Sequence, residues 1–253
     1  MALEVHGLSK AFGGEHALAG VDLEIADGEI HALLGPNGSG KSTLIGCLSG
    51  RLAPDAGVMD LGSGPVKRFT PRSAFAAGTA VIYQHFSLIS SLSVVDNVFL
   101  GSERTGFGRR LDRSNELVEV DAALSNLGAE FDRSAPVSTL SVGQKQLVEI
   151  AKAMRHAPKL FVLDEPTAAL GEAEARQLGR RLRGLRDSGL AILYVTHLLS
   201  EVFEIADRVT VLRDGKTVLS AATADLRREQ VIAAISPRGR ATARNREDRK
   251  SVV

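Results

Sequence analysis

The sequence predicts an α/β protein built on a mainly parallel sheet. Two observations carry that reading. Apolar runs of strand length alternate with amphipathic stretches of helical length along most of the 253 residues. One of those runs, EIHALLG at residues 29–35, passes straight into a glycine-rich turn and then into a stretch with helical spacing.

From the N-terminus, residues 3–5 and 17–25 read as strands, the second alternating as ALAGVDLEI. After the strand at 29–35, KSTLIGCLSG is helical and ends on Gly50. Residues 51–82 hold scattered Gly and Pro and lead into the apolar run TAVIY. Residues 86–130 read as mostly helical, interrupted by the loop GSERTGFGRRLDRS. Ser141 fits an N-cap for a helix over 142–156, which stops before Pro158. LFVLDEP at 160–166 is a buried strand, and a charged helix follows at 172–187. Strand LAILYVTH, helix 198–206 and the hairpin RVTVLRDGKTVLS, with Asp214-Gly215 at its turn, complete the alternation. No internal repeat is present. The chain then changes character: PRGRATARNREDRKSVV at 237–253 is rich in Arg and Lys and reads as a solvated tail.

The bulk composition excludes several classes. Hydrophobic residues make up 44% and charged residues 24%, as in a soluble globular protein with ample core. A formal net charge of +1 gives no global argument for nucleic acid as a partner. The single cysteine, Cys47, excludes an internal disulfide framework and fits a reducing compartment. The N-terminus does not read as a signal peptide, and no apolar run reaches the ~18 residues of a membrane span. Any membrane role is expected to come through a partner chain.

Three segments carry chemistry. GPNGSGKST, with Gly35, Pro36, Asn37, Gly38, Ser39, Gly40, Lys41, Ser42 and Thr43, matches G-x-x-x-x-G-K-[ST] between a strand and a helix. Its glycines let backbone N–H groups curl around phosphates, Lys41 supplies a point charge, and the Ser42 hydroxyl suits Mg²⁺. The acidic strand end LFVLDEP puts Asp164 where ligands gather in an open α/β sheet, to hold Mg²⁺ through water. Glu165 is then placed as general base for an attacking water. The helix opening LSVGQ puts a polar turn and Gly143 in front of an amphipathic helix, a start suited to binding an anion. Gln84, His197 and Phe12 mean little singly: a strand-end amide, a strand-end imidazole and an aromatic that could equally be core.

Together, GPNGSGKST, the Tyr83-Gln84 pair, LSVGQ at 140–144, LFVLDEP and THLLSEV at 196–202 resemble the ATP-binding cassette of ABC transporters, in order and over about residues 1–235. LSVGQ is the discriminating element. The resemblance implies a parallel-sheet RecA-like subdomain, an antiparallel β subdomain, and a helical subdomain at about 86–156 carrying the signature, with a basic tail from 236. It implies that Phe12 stacks on adenine, that Gly38, Gly40, Lys41, Ser42 and Thr43 hold phosphate and Mg²⁺, and that Gln84 is the Q-loop glutamine contacting the metal. It implies that Asp164 is the magnesium aspartate, Glu165 the catalytic glutamate and His197 the switch histidine. Ser141, Gly143 and Gln144 would bind the γ-phosphate of ATP held by a second cassette, paired head to tail. Two positions depart from the family pattern: Val142 where many members have Gly, and Gly171 where many have an aspartate facing the dimer partner.

VIYQHFSLISSLSVVDNVFLG, LSVGQKQLVEIAKAM, LDEPTAAL and EVFEIADRVTVLRDGK further resemble the ATPases of bacterial importers for simple sugars such as ribose, xylose or fructose, while nucleoside importers share QHF. Such sugar ATPases usually carry two cassettes, so this chain is either a homodimerising single cassette or one half of a pair. Separate membrane permease subunits and a solute-binding protein are implied, with the chain cytoplasmic on the inner face of the membrane. Residues 85–100 are where family members meet the membrane subunit, although Phe86, Leu88, Ile89 and Leu92 fit a core equally well. Two other classes are weaker. A soluble, non-transport ABC ATPase on nucleic acid or ribosomes conflicts with the neutral charge and the short span between Lys41 and Ser141; a small-molecule kinase conflicts with the signature.

Overall fold

The structure, a computed structural model, describes residues 1–103 and 112–236. The basic tail at 237–253 and most of the loop in GSERTGFGRRLDRS lie outside the described residues. The α/β expectation holds. The described strands are β1 (Leu3–Phe12), β2 (Glu15–Ile25), β3 (Ile30–Leu34), β4 (Ala56–Asp60), β5 (Thr79–Ile82), β6 (Leu160–Asp164), β7 (Ala191–Val195), β8 (Arg208–Arg213) and β9 (Lys216–Ala222). The helices are α1 (Lys41–Leu48), α2 (Pro71–Ala76), α3 (Val94–Phe99), α4 (Arg113–Asn126), α5 (Val142–Met154), α6 (Glu172–Asp187), α7 (Leu199–Ile205) and α8 (Arg228–Ile235).

The central sheet runs β5-β6-β7-β3-β8-β9 and is parallel except for β9, which closes a hairpin with β8. Every residue of β3 and β7 is buried, as a strand covered on both faces requires. His31 is the polar exception inside β3. Its Nδ1 lies 2.7 Å from Glu29 Oε1 and its Nε2 2.8 Å from Thr210 Oγ1, so both ring nitrogens are satisfied. The register places Leu33, Val195 and Asp164 in one row across β3, β7 and β6. Asp164 therefore reaches the same edge of the sheet at which the glycine-rich loop leaves β3.

A second, antiparallel sheet orders β2-β1-β4. Two of its features correct the sequence reading. The strand expected at 3–5 continues to Phe12, with register shifts against β2 that accommodate Gly7 at φ +60°. The stretch 51–82, read as irregular, contains β4 and α2. β4 is five residues of weak alternation, held because Val5 pairs with Met59 and both are buried. α2 announces itself through Thr70, which caps Ser73 N–H reciprocally with the Ser73 hydroxyl, and through Pro71 at the first position.

The helical layer is built from α3, α4 and α5, joined through Phe99, Val120, Leu124, Val148 and Ile150. Residues 86–93, expected to be helical, are not. Asn97, fully buried on α3, accepts from Ile89 N–H and donates to the carbonyls of Ile89, Leu92 and Ser93. From the other side Glu149 on α5 accepts from the Ser87 amide at 2.6 Å. Buried side chains thus supply the backbone partners that a helix would have supplied.

Candidate functional site

The loop Gly35–Gly40 connects β3 to α1 and owes its course to glycine. Gly40 takes φ +105°, and a Cβ there would lie 2.4 Å from Ala17 O. A Cβ on Gly35 would lie 2.2 Å from Leu212 O. Lys41 folds its ammonium back over the loop, donating to Gly35 O at 2.7 Å and Pro36 O at 3.1 Å. Ser39 Oγ is buried and has no hydrogen-bond partner among the described residues. A buried hydroxyl without a partner is costly, and this one belongs to the glycine-rich loop that leaves β3.

Opposite the loop, β6 ends on Asp164 and the chain turns through Glu165 at φ +48°, a left-handed conformation that a non-glycine residue rarely adopts. The turn is held by Glu165 N–H donating to Val195 O at 2.9 Å. It leaves both carboxylates beside Lys41. Burial raises the Asp164 pKa, the Glu165 charge raises it further, and Lys41 opposes both. Burial lowers the Lys41 pKa, while Glu165 and Asp164 oppose that shift. The three groups are therefore electrostatically coupled.

Ala17, Asn37, Gly38, Ser39, Gly40, Lys41, Ser42, Thr43, Gln84, Asp164 and Glu165 line one open cavity of 450 Å³. Gln84 reaches it from a bend two residues past the end of β5, not from the strand end as expected. His197 stands at the rim, 58% exposed, with Nδ1 3.3 Å from Glu165 Oε1. Phe12 is at the exposed end of β1, 49% accessible, with Lys10 Nζ 5.4 Å from its ring centroid. It is a surface aromatic, not a core one, and it does not line the cavity. Among the described residues no group of three or more His, Cys, Asp and Glu side chains could hold a metal alone. The Ser42 hydroxyl, the Gln84 amide and the Asp164 carboxylate form the sparse oxygen set suited to a Mg²⁺ that takes its other ligands from phosphate and water.

Ser141, Gly143 and Gln144 lie elsewhere. Ser141 Oγ accepts from Gln144 N–H at 3.2 Å while Gln144 Oε1 accepts from Ser141 N–H at 2.9 Å, a capping box that defines the start of α5. These residues border a separate cavity of 190 Å³ with Glu174, Gln177 and Arg181. A Cβ on Gly143 would meet Glu174 Oε1 at 2.7 Å, so the glycine makes room for α6. Within one chain the signature and the phosphate loop are not joined.

Sequence reasoning missed Ala17 and Glu174. Ala17 enters because β2 passes over the loop, a tertiary contact without a local signal. Glu174 is legible only as the third residue of α6, where it accepts from Gly171 N–H at 3.2 Å.

The profile of the family described as ABC transporter matches residues 18–168, more than half of the chain. The ribose import ATP-binding protein RbsA 2 of Escherichia coli is 44% identical over 216 residues, covering 85% of this chain and 42% of that protein. RbsA 2 of Burkholderia cenocepacia is 45% identical over 232 residues, covering 91% of this chain and 46% of its own length. The chain thus spans about half the length of the curated relatives it matches. Among solved structures, cbiO1 from Clostridium perfringens, part of the ABC transporter complex cbiONQ, superposes with a TM-score of 0.77 at 30% identity, covering 92% of this chain and 90% of its own.

Proposed function

The chain belongs to the ABC transporter family, and from that premise we propose that it binds and hydrolyses ATP to energise import of a simple sugar. The observation that carries this is the single cavity that Lys41, Ser42, Asp164 and Glu165 line together. The relatives named for ribose import support the sugar assignment.

Residues 1–235 act as the cassette, with residues 86–156 as its helical part. The loop amides and Lys41 bind the β- and γ-phosphates, Lys41 as a fixed cation in a partly buried site. Ser42, Gln84 and Asp164 hold Mg²⁺, which neutralises phosphate charge when bound. Glu165 accepts the proton of the attacking water, and the His197 imidazole at its side holds that carboxylate and the γ-phosphate in line. Phe12, projecting from β1, offers an aromatic face to the adenine. Ser141, Gly143 and Gln144 present the N-terminus of α5 to the γ-phosphate bound by a second cassette, which explains why they do not meet the phosphate loop within one chain.

The described residues contain no helix long and apolar enough to cross a membrane. From the likeness to import ATP-binding proteins we place the chain on the cytoplasmic face of the membrane, docked on permease subunits that receive sugar from a solute-binding protein. The test is Mg²⁺-dependent phosphate release from ATP by the purified chain, with co-purification of a pentose permease from membranes. ATP consumed without phosphate release, or ribosomes in place of a permease, would overturn the reading.

A further inference from the structure

Glu201 lies on α7, four residues beyond His197, and has no part in the site described above. Its Oε2 accepts two hydrogen bonds, from the Tyr194 hydroxyl at 2.9 Å and from Thr196 Oγ1 at 2.9 Å. Thr196 Oγ1 accepts in turn from Leu198 N–H at 3.1 Å. Thr167 borders the same cavity as Tyr194 and Glu201. Thr167, Tyr194 and Thr196 are all buried. One carboxylate oxygen therefore ties α7 to Tyr194 on β7 and, through Thr196, to residues 196 and 198 on either side of His197.

Packing alone does not hold this segment. A cavity of 270 Å³ lies between α6 and α7, bordered by Thr167, Leu170, Arg176, Tyr194, Leu198 and Glu201. With space beneath it, the turn carrying His197 takes its position from directional bonds, and charge-assisted bonds in a buried network are the strong ones.

We propose that Glu201 is the positioning residue of His197, and through it of the Glu165–His197 pair: its carboxylate locks the turn that carries His197 to α7 and to Tyr194 on β7. This rests on the roles proposed above for Glu165 and His197. Neither Glu201 nor Tyr194 touches nucleotide or the reacting atoms in this account; both act through the backbone at His197.

The test uses the full chain with Glu201→Ala and Glu201→Gln. Alanine removes the acceptor for both hydroxyls, whereas the glutamine amide oxygen can still accept from both. The readouts are kcat and KM for ATP with saturating Mg²⁺, and the imidazole resonances of His197, assigned with His197→Ala. Glu201→Ala is expected to lower kcat about 10- to 100-fold through misplacement of the pair, with KM nearly unchanged. The His197 signal should move toward that of a solvated imidazole while the buried His31 signal stays. Glu201→Gln should restore most of the turnover and the signal. If the alanine variant does not fold, Tyr194→Phe removes one of the two bonds and should shift the same resonance. An unmoved His197 signal with wild-type kcat overturns the proposal, and so does an unmoved His197 signal in a folded Tyr194→Phe variant. A wild-type chain that releases no phosphate would refute the proposed activity, while the His197 resonance would still decide the positioning.

Discussion

His197 Nδ1 stands 3.3 Å from Glu165 Oε1, and the two residues come from the ends of β7 and β6, adjacent parallel strands. The left-handed turn at Glu165 aims its carboxylate back toward the strand end that carries the imidazole. A conformation costing on the order of 1–3 kcal/mol is retained where it sets the direction of a reacting group.

Lys41→Ala should weaken nucleotide binding itself. Among the described residues the ammonium is the only side-chain cation lining the cavity, and loss of a charge-assisted contact to phosphate costs about 1.5–3 kcal/mol, or roughly 10- to 150-fold in Kd. Titration with a fluorescent ATP analogue measures this. Because burial lowers the Lys41 pKa, binding by the wild type should also decline on the alkaline side before an ordinary lysine would lose its proton. Unchanged affinity in the alanine variant would show that the loop is not the site.

Asp164→Asn should separate stability from function. The raised pKa of Asp164 means that its native environment disfavours the ionised form. A folded-state pKa above the unfolded value gives stability that is complete at low pH and lost as pH rises through the folded pKa. The neutral asparagine avoids that loss, so the variant should melt at or above the wild-type temperature at pH 7, with the difference vanishing in acid. Mg²⁺-dependent phosphate release should fall sharply. A lower melting temperature at neutral pH would contradict the electrostatic account.

Gly40→Ala should damage the loop without touching a charged group. The new Cβ meets Ala17 O at 2.4 Å in a backbone of φ +105°, so the loop must shift, at a cost of about 1–3 kcal/mol. Nucleotide affinity and thermal stability should fall together. An alanine variant that binds ATP normally would show that the close pass of β2 over the loop is incidental.

Ser141→Ala should cost about 1 kcal/mol through loss of the cap on Gln144 N–H, which for a chain of this size lowers Tm by roughly 2–4 °C. Nucleotide binding by the single chain should be unaffected, because Ser141 lies in a different cavity from Lys41. Calorimetry with parallel nucleotide titration checks both halves.

The strands that hold the site were legible because each carries its own signal. β3, β6 and β7 are short apolar runs ending in a glycine-rich loop, an acidic pair and a Thr-His pair, and the parallel sheet brings those three ends to one edge. The N-cap at Ser141 was legible for the same reason, since a capping box is local. What escaped depends on contacts distant in sequence. β4 exists through pairing with β1, residues 86–93 are held by Asn97 and Glu149 in place of helical bonds, and Ala17 enters the cavity because one sheet passes over another. Gln84 was found by its position after Tyr83, but its place on a bend past the strand end was not predictable from spacing.

The central claim is that ATP is held between the phosphate loop of one cassette and the signature of another, with Glu165 as the base. The most direct measurement is the mass of Glu165→Gln by light scattering, with and without Mg-ATP. The substitution removes the proton acceptor and keeps every phosphate contact, so the account predicts a monomer without nucleotide and a stable dimer with it. A chain that binds ATP yet stays monomeric at saturation would contradict a sandwich built from two copies of this chain.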